Sequence, residues 1–568
     1  MYNYDILVYG TTPSGVLAAV SAAAEGYQVA LLDPRSLVGG MISGGLVNTD
    51  IGTTTEIFGG RTLKYFQQVY QYYYNNGTLQ PSHTLHQSAS AMYILEPHVG
   101  EYIFYSMINE VKDNLTIYLN TRITSVDIQE TIINTPTIRS TNNNTTPSVN
   151  TQETIINTTT IRNINNIYTT LNDTVFHGKI ILDCTYEGIL LPLTNISYTY
   201  GREANTTYNE SVAGVLPEPH NASTPDHPFT SQPQLPYGIN PYWENTTEIL
   251  PLINTELPNP VGFGDLRTQS YNYRITITNI SALKVPFPKP NNYNSSTYEL
   301  FYRAITIGNW KEGIGLGGMM PSLDSNKRYG KFDVNSQKLD QPGFSWNYPL
   351  SIITNNWTMQ EEIWELHKDF TLGLLYFMST DPRLTPEFRA FMQSIGFSND
   401  EFINYDNFPP QLYIREALRL QSDYIFTQYD REINYTKHDS IGMGSYSIDV
   451  LHVSRYPDKI YGVLEEGGLQ APSFLPPSLP PFEIPYRIII PKENEVNNLL
   501  VPVAVSASHL GFCAIRLEPT WMIIGESAGI AATIALRYNT TVQNINISLL
   551  QNRLQELGQI LHFNNTVG

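Results

Sequence analysis

The chain has 568 residues, more than one hydrophobic core usually supports, so two domains are expected. Its 41% hydrophobic and 15% charged content excludes a disordered chain, and a net charge of -19 argues against nucleic-acid or anionic-membrane partners. Only two cysteines occur, too few for a four-thiolate iron–sulfur cluster, and no metal is expected.

In chain order, residues 4–9 (Tyr-Asp-Ile-Leu-Val-Tyr) read as a strand. A glycine-containing turn follows, then an Ala-rich helix from Val16 to Glu25 stopped by Gly26, and a second strand from Gln28 to Leu32. No signal peptide precedes Tyr4, and no run of about 18 apolar residues announces a transmembrane helix. Residues 129–174 hold a tandem repeat: Gln129–Arg139 recurs as Gln152–Arg162, which reads as a duplicated surface hairpin with Asn-rich turns. Residues 179–183 are a buried strand. From about 200 to 345 the chain is rich in Pro, Asn and Tyr, with a strand over Tyr271–Thr278. Helices are expected over Met359–Phe377 and Gln411–Asp423, a Pro-rich linker over 471–491, a buried strand over Asn498–Ser506 and a final helix over Thr520–Arg537. Cys184 and Cys513 sit in apolar stretches and read as buried free thiols.

The first turn, Gly10-Thr11-Thr12-Pro13-Ser14-Gly15, matches two glycines of G-x-G-x-x-G, with Thr12 in place of the middle one. Gly10 permits a tight turn and Gly15 close packing of helix on strand, so that the helix N-terminus receives a pyrophosphate. The Thr12 hydroxyl can donate to a phosphate oxygen. Asp33, at the end of the second strand, is placed to accept from ribose hydroxyls. NAD and FAD both satisfy this half-motif. The segment Gly39-Gly40-Met41-Ile42-Ser43-Gly44-Gly45 favours FAD, because it lets backbone approach a bulky ligand, and Gly525-Glu526-Ser527-Ala528-Gly529 opens a small-residue helix beside it.

Together with Asp183-Cys-Thr-Tyr-Glu-Gly188, Tyr200-Gly-Arg-Glu203, Gln269–Arg274, Gln411–Glu416, Ser506-Ala-Ser-His509 and Arg516-Leu-Glu-Pro519, these segments resemble the FAD-dependent oxidoreductase family. The likeness is to glutathione reductase-type flavoproteins related to the FAD subunit of heterodisulfide reductase, without the iron–sulfur motifs. The resemblance implies an α/β fold: a discontinuous Rossmann-like FAD-binding domain (1–195 and 491–568) with an inserted α+β substrate domain (196–490). It places Asp183-Cys184-Thr185 as a turn closing on the cofactor. The expected FAD contacts are Gly10, Thr12, Pro13, Ser14, Gly15, Asp33, Pro34, Arg35, Gly39, Gly40, Met41, Gly45, Val126, Asp183, Cys184, Thr185, Gly525, Ala528 and Gly529.

For the redox chemistry, a base and a positive group beside the flavin are needed. His509 titrates near neutrality if accessible, although a structural histidine is the other reading. Arg516 supplies positive charge, or pairs with Glu518 in a buried ion bridge. Gln269, Tyr271 and Tyr273 share one strand face, with Arg274 on the other, which suits a substrate wall or a solvated strand. Arg415 and Arg419, one helical turn apart with Tyr413 nearby, suit a carboxylate or polyol, or a solvated face. His452 is a further candidate. The expected function is hydride transfer between a small-molecule substrate and FAD. The alternative is a carbohydrate-active or structural flavoprotein without flavin turnover. About eighteen Asn-x-Ser/Thr sequons, roughly twice the chance number, point to a secretory glycoprotein, whereas the absent leader points to the cytoplasm.

Overall fold

The computed structural model describes residues 1–563 apart from 48, 51–53, 76–94, 142–150, 218–234, 309–318, 322–329, 335–338, 434–435 and 472–479. Its central sheet begins with β1 (Tyr2–Tyr9), whose last four residues are wholly buried. After it comes α1 (Pro13–Ala24), whose Ala-rich sequence leaves no bulky face and is buried along nearly its whole length. Thr12 caps the helix, Pro13 occupies its first turn, and Gly26, at φ +90°, ends it. Parallel to β1 on one side runs β2 (Val29–Leu32), then β3 (Leu115–Tyr118). On the other side lies β6 (Val175–Asp183), also parallel.

β6 is completed by two different partners. Its first half pairs antiparallel with β5 (Thr151–Thr169), and its second half pairs parallel with β7 (Leu499–Leu500), which arrives from the far end of the sequence. The Asn498 side chain seals the junction: Oδ1 accepts from Ile164 N–H at 2.8 Å, while Nδ2 donates to the Ile164 and Lys179 carbonyls. Behind the sheet, α4 (Glu518–Arg537) lies along α1. A Cβ on Gly525 would stand 2.1 Å from the Ser14 carbonyl oxygen, and one on Gly529 2.3 Å from that of Ala18. These glycines therefore set the distance between two helices from opposite chain ends. α4 is long and apolar enough to cross a membrane by length and composition, and 94% of it is buried inside the protein.

The inserted region carries a five-stranded antiparallel sheet around Ile275–Thr278. A long helix, α2 (Trp357–Thr380), capped by Asn356, leans back toward the end of β2.

Several expectations change. The repeat forms one hairpin: β4 (Ile123–Thr141) pairs with β5 so that the first copy lies against the second. Because each copy has a glutamate as its second residue and an arginine as its last, antiparallel pairing sets position 130 opposite 162 and position 139 opposite 153 in the ladder. Gln411–Asp423 is an extended buried segment, not a helix. Residues 411–420 are buried on every side, so their apolar spacing never marked one face, and Arg419–Leu420 pairs with Tyr198–Thr199. The strand expected from Tyr271 begins at Ile275, and that expected over Asn498–Ser506 is only β7. Within the expected linker, Phe482–Pro485 is a buried strand paired with Ser440–Gly444. Cys184 and Cys513 are buried free thiols.

Candidate active site

The turn between β1 and α1 is built by mutual fit. A Cβ on Gly15 would stand 1.8 Å from the Gly10 carbonyl oxygen, and one on Gly10 2.7 Å from the Cys184 carbonyl carbon. Pro13 and Ser14 are buried in the first helical turn. The Thr12 hydroxyl donates to the Cys184 carbonyl at 2.7 Å and accepts from Gly15 N–H at 3.2 Å. It therefore braces the turn and does not serve as a spare donor toward a phosphate.

Asp33 is held by its neighbours. One carboxylate oxygen accepts from the Thr11 N–H and hydroxyl at 2.6 and 2.8 Å, and the other from Arg35 N–H at 2.8 Å. Burial pushes its carboxyl up in spite of these donors. Asp183 is wholly buried and spent on its own turn. Its oxygens accept from the Thr185 N–H and hydroxyl and from Leu190 N–H, and burial pushes it up to about 6. The Cys184–Thr185 backbone, not the Asp183 side chain, is what closes on Gly10.

A channel runs from this turn past Asp33. Beside Gly10, Thr12, Gly40 and Thr185 it is narrow, about 40 Å3, with Trp364 and Gln411 also lining it. Beyond Pro34 and Arg35 it opens into a cavity of about 490 Å3. Gly40 lines the narrow part, within a glycine-rich segment buried throughout Gly39–Gly45. Gly39 and Gly40 take φ +100° and +48°, and a Cβ on Gly40 would meet the Tyr186 hydroxyl at 2.4 Å. That hydroxyl accepts from Met41 N–H at 3.0 Å and donates to Glu518 Oε1 at 2.8 Å. Glu518 stands at the start of α4, 3% exposed, and burial pushes it up to about 8. Its Oε2 has no partner among the described residues.

Next to Glu518 lies a polar cluster. Arg516 donates to the Tyr413 hydroxyl at 3.1 Å and to the Asp449 carbonyl at 2.8 Å, with the Asp449 carboxylate at 3.2 Å. The ion bridge between Arg516 and Glu518 does not form, since each has another partner. Asp50, five residues past Gly45, faces Arg274, Asp449, Arg516 and Asp333, and burial pushes its carboxyl up. Arg274 pairs with Asp333. Sequence reasoning missed Asp50 and Tyr186, because an acid after a glycine loop and a tyrosine after a turn carry no distinguishing pattern.

The remaining expected residues lie elsewhere. His509, at the start of α3 (His509–Ile515), bonds the Glu416 carboxylate through Nδ1 at 2.7 Å. Arg419 already neutralises Glu416, so burial, followed by the Arg419 charge, pushes the imidazole down to about 3. It is neutral at physiological pH and does not titrate near neutrality. Tyr271 is core: its hydroxyl donates to the Glu416 carbonyl and its ring stacks on His367. Gln269 and Tyr273 are equally buried, so that stretch is neither a solvated nor an open face. Arg415 pairs with Asp340 at 3.0 Å and Arg419 with Glu203 and Glu416, so the two arginines share no helix face and neither is left for a carboxylate or polyol. His452 is buried against Gly468. Gly525, Ala528 and Gly529 fall in the middle of α4, and the two glycines face α1. Val126 is half-buried on β4 opposite Ile167.

These features fit FAD. A helix N-terminus meets a carboxylate at the end of the next strand, and behind Tyr186 Arg516 Nε and Glu518 Oε2 are buried polar atoms without partners among the described residues. No curated protein matches the chain in sequence. Solved structures that it resembles include THI4 of Thermovibrio ammonificans (15% identity, 37% of this chain and 71% of that one, TM-score 0.21). Two others are T. acidophilum thioredoxin reductase (15%, 32% and 35%, TM-score 0.15) and the bacillithiol disulfide reductase of Staphylococcus aureus (10%, 40% and 44%, TM-score 0.18). The chain thus spans well under two thirds of the last two. The family model for FAD dependent oxidoreductases matches residues 5–554, nearly the whole sequence. The chain belongs to the FAD-dependent oxidoreductase family and is a flavoenzyme with FAD as its cofactor.

Proposed function

We propose that the enzyme transfers a hydride between a small organic substrate and FAD, with the substrate held at the Asp50–Arg274–Tyr413–Asp449–Arg516 cluster. The observation that carries this reading is Arg516, a buried guanidinium braced by Tyr413 and Asp449 and faced by the half-buried acid Asp50. FAD supplies the two-electron acceptor when bound. The turn at Gly10–Gly15 and Asp33 would hold its pyrophosphate and ribose, and the Gly39–Gly45 wall would give the bulky ring room.

When a hydride leaves a carbon, the hydroxyl or amine on that carbon must release a proton. Asp50 is the group placed to take it, while Arg516 and Tyr413 orient the oxygen or nitrogen. Burial keeps water from competing. Because burial raises the Asp50 carboxyl, its proton-accepting form is lost as pH falls through that raised value, and the reductive rate falls with it.

The test is anaerobic bleaching of the flavin absorbance by a panel of hydroxy acids, amines and sugars. Asp50→Asn should keep full flavin content and slow bleaching by about 100-fold, within the range expected for loss of a general base. Bleaching at the wild-type rate in Asp50→Asn would remove Asp50 from the reaction. No bleaching by any donor would favour a structural flavin.

A further inference from the structure

The helix α2 has a second working face. Trp357, Glu361 and Trp364 line the cavity on the flavin side, whereas Leu366, Asp369 and Phe370 stand on the other side of the helix, roughly half a turn round. There they bound a separate cavity of about 130 Å3 whose walls come from the inserted region alone. It shares no residue with the flavin channel or with the polar cluster around Arg516.

The walls are aromatic. Tyr293 and Tyr298 are nearly parallel, 16° apart with ring centres separated by 5.9 Å, and Tyr298 lies at 29° to Phe370. Phe344 is turned 82° to Phe370. Rings therefore bound the cavity in two roughly perpendicular orientations. Tyr298 is pressed against α2 at Gly373, where a Cβ would stand 1.8 Å from its hydroxyl. Leu252, also in the wall, takes φ +68°, an unfavourable conformation for a leucine. Its carbonyl is held there by Gln341 Nε2 at 3.1 Å and Arg455 Nη1 at 3.3 Å.

One charged side chain lines this cavity, and it is negative. Asp369 is half-buried and makes no ion pair among the described residues. The exposed Lys289 comes within 5.7 Å of the Tyr293 ring centre and is not part of the lining. Aromatic faces carry partial negative charge, so rings and carboxylate together favour a cation that sheds its water easily. An alkylated ammonium is such a cation, because its charge is spread over methyl groups that need no hydrogen bonds. The space suits one such head group and is well below that of pockets holding whole drug-sized ligands.

We propose that this cavity binds an organic ammonium group, a quaternary or fully alkylated amine, with Asp369 meeting the charge and Tyr293, Tyr298 and Phe344 covering the methyl groups. The site is distinct from the flavin and does not depend on how substrate is held beside it. Tyr293, Phe344 and Asp369 are half-buried, so the cavity is reachable from solvent and these side chains can be changed without emptying the core.

The experiment titrates the full chain, flavin bound, with tetramethylammonium chloride, with choline, and with the uncharged choline analogue in which carbon replaces nitrogen, by calorimetry at fixed ionic strength. Both cations should bind one to one, and the neutral analogue should bind more weakly by about tenfold. Tyr293→Ala and Asp369→Asn should each weaken the cations about fivefold, while Tyr293→Phe, which keeps the ring, should stay within about twofold of wild type. Flavin content equal to wild type checks that each variant is folded. Saturable binding of neither cation, equal affinity for the neutral analogue, or cation binding unchanged in both Tyr293→Ala and Asp369→Asn overturns the proposal.

Discussion

Gly15 shows how little slack the site has. Its neighbour in the crowded direction is the Gly10 carbonyl, a backbone atom that cannot swing aside, so even a methyl group must push α1 off the sheet. Gly15→Ala should cost about 1–3 kcal/mol of stability, as overpacking does, and should lower flavin content, read from the flavin-to-protein absorbance ratio. Glu518 gives a second expectation. Its carboxyl, raised by burial to about 8, holds its proton in the folded protein at pH values where the unfolded chain has lost it. The folded state then binds more protons than the unfolded one between roughly pH 4.5 and 8, so stability falls as pH rises through that window. Glu518→Gln should flatten the slope, and in flavin-free protein it should be the more stable form by a few kcal/mol at pH 9 and about equal at pH 4, measured by urea unfolding. A wild-type slope that survives the substitution would place the proton uptake elsewhere.

Among elements, β7 is the joint on which the architecture turns. Two residues of ladder would not hold a sheet by themselves, and Asn498 supplies three further hydrogen bonds, two to Ile164 of β5 and one to Lys179 of β6. Asn498→Ala removes the partner of one backbone donor and of two carbonyls, and should destabilise by about 2–4 kcal/mol in urea unfolding. The hairpin of β4 and β5 is a different case. The duplicated sequence was plain to read, yet which strand each copy forms depends on long-range pairing. Once paired, Glu130 of the first copy meets Arg162 of the second across the ladder at 3.1 Å. That contact is exposed and contributes little by itself, but it favours this register over a shifted one.

For the molecule as a whole, the parts legible in the sequence were those governed by local rules. β1, α1 and β2 follow from an apolar run, a capped Ala-rich stretch and Gly26, and α2 and α4 from long periodic spacing. Arg419 and Arg415 were misread because a segment buried on all sides has no face for periodicity to reveal. His509 was read as titratable because nothing local announces that Glu416, 93 positions away, and Arg419 would enclose it. The polar cluster itself joins Asp50, Arg274, Tyr413, Asp449 and Arg516 from five separate stretches, and only the tertiary structure brings them together.

The contact of α1 with α4 also has a consequence in time. One helix leaves the ribosome nearly 500 positions before the other. At the usual pace of synthesis, α1 and the sheet face under it wait roughly 25–100 s for the surface that covers them. Until Gly525 and Gly529 arrive, the Ala-rich face is an open apolar strip on a growing chain. Covering of α1 therefore waits on α4, and the residues between them, made before α4, can acquire a core first.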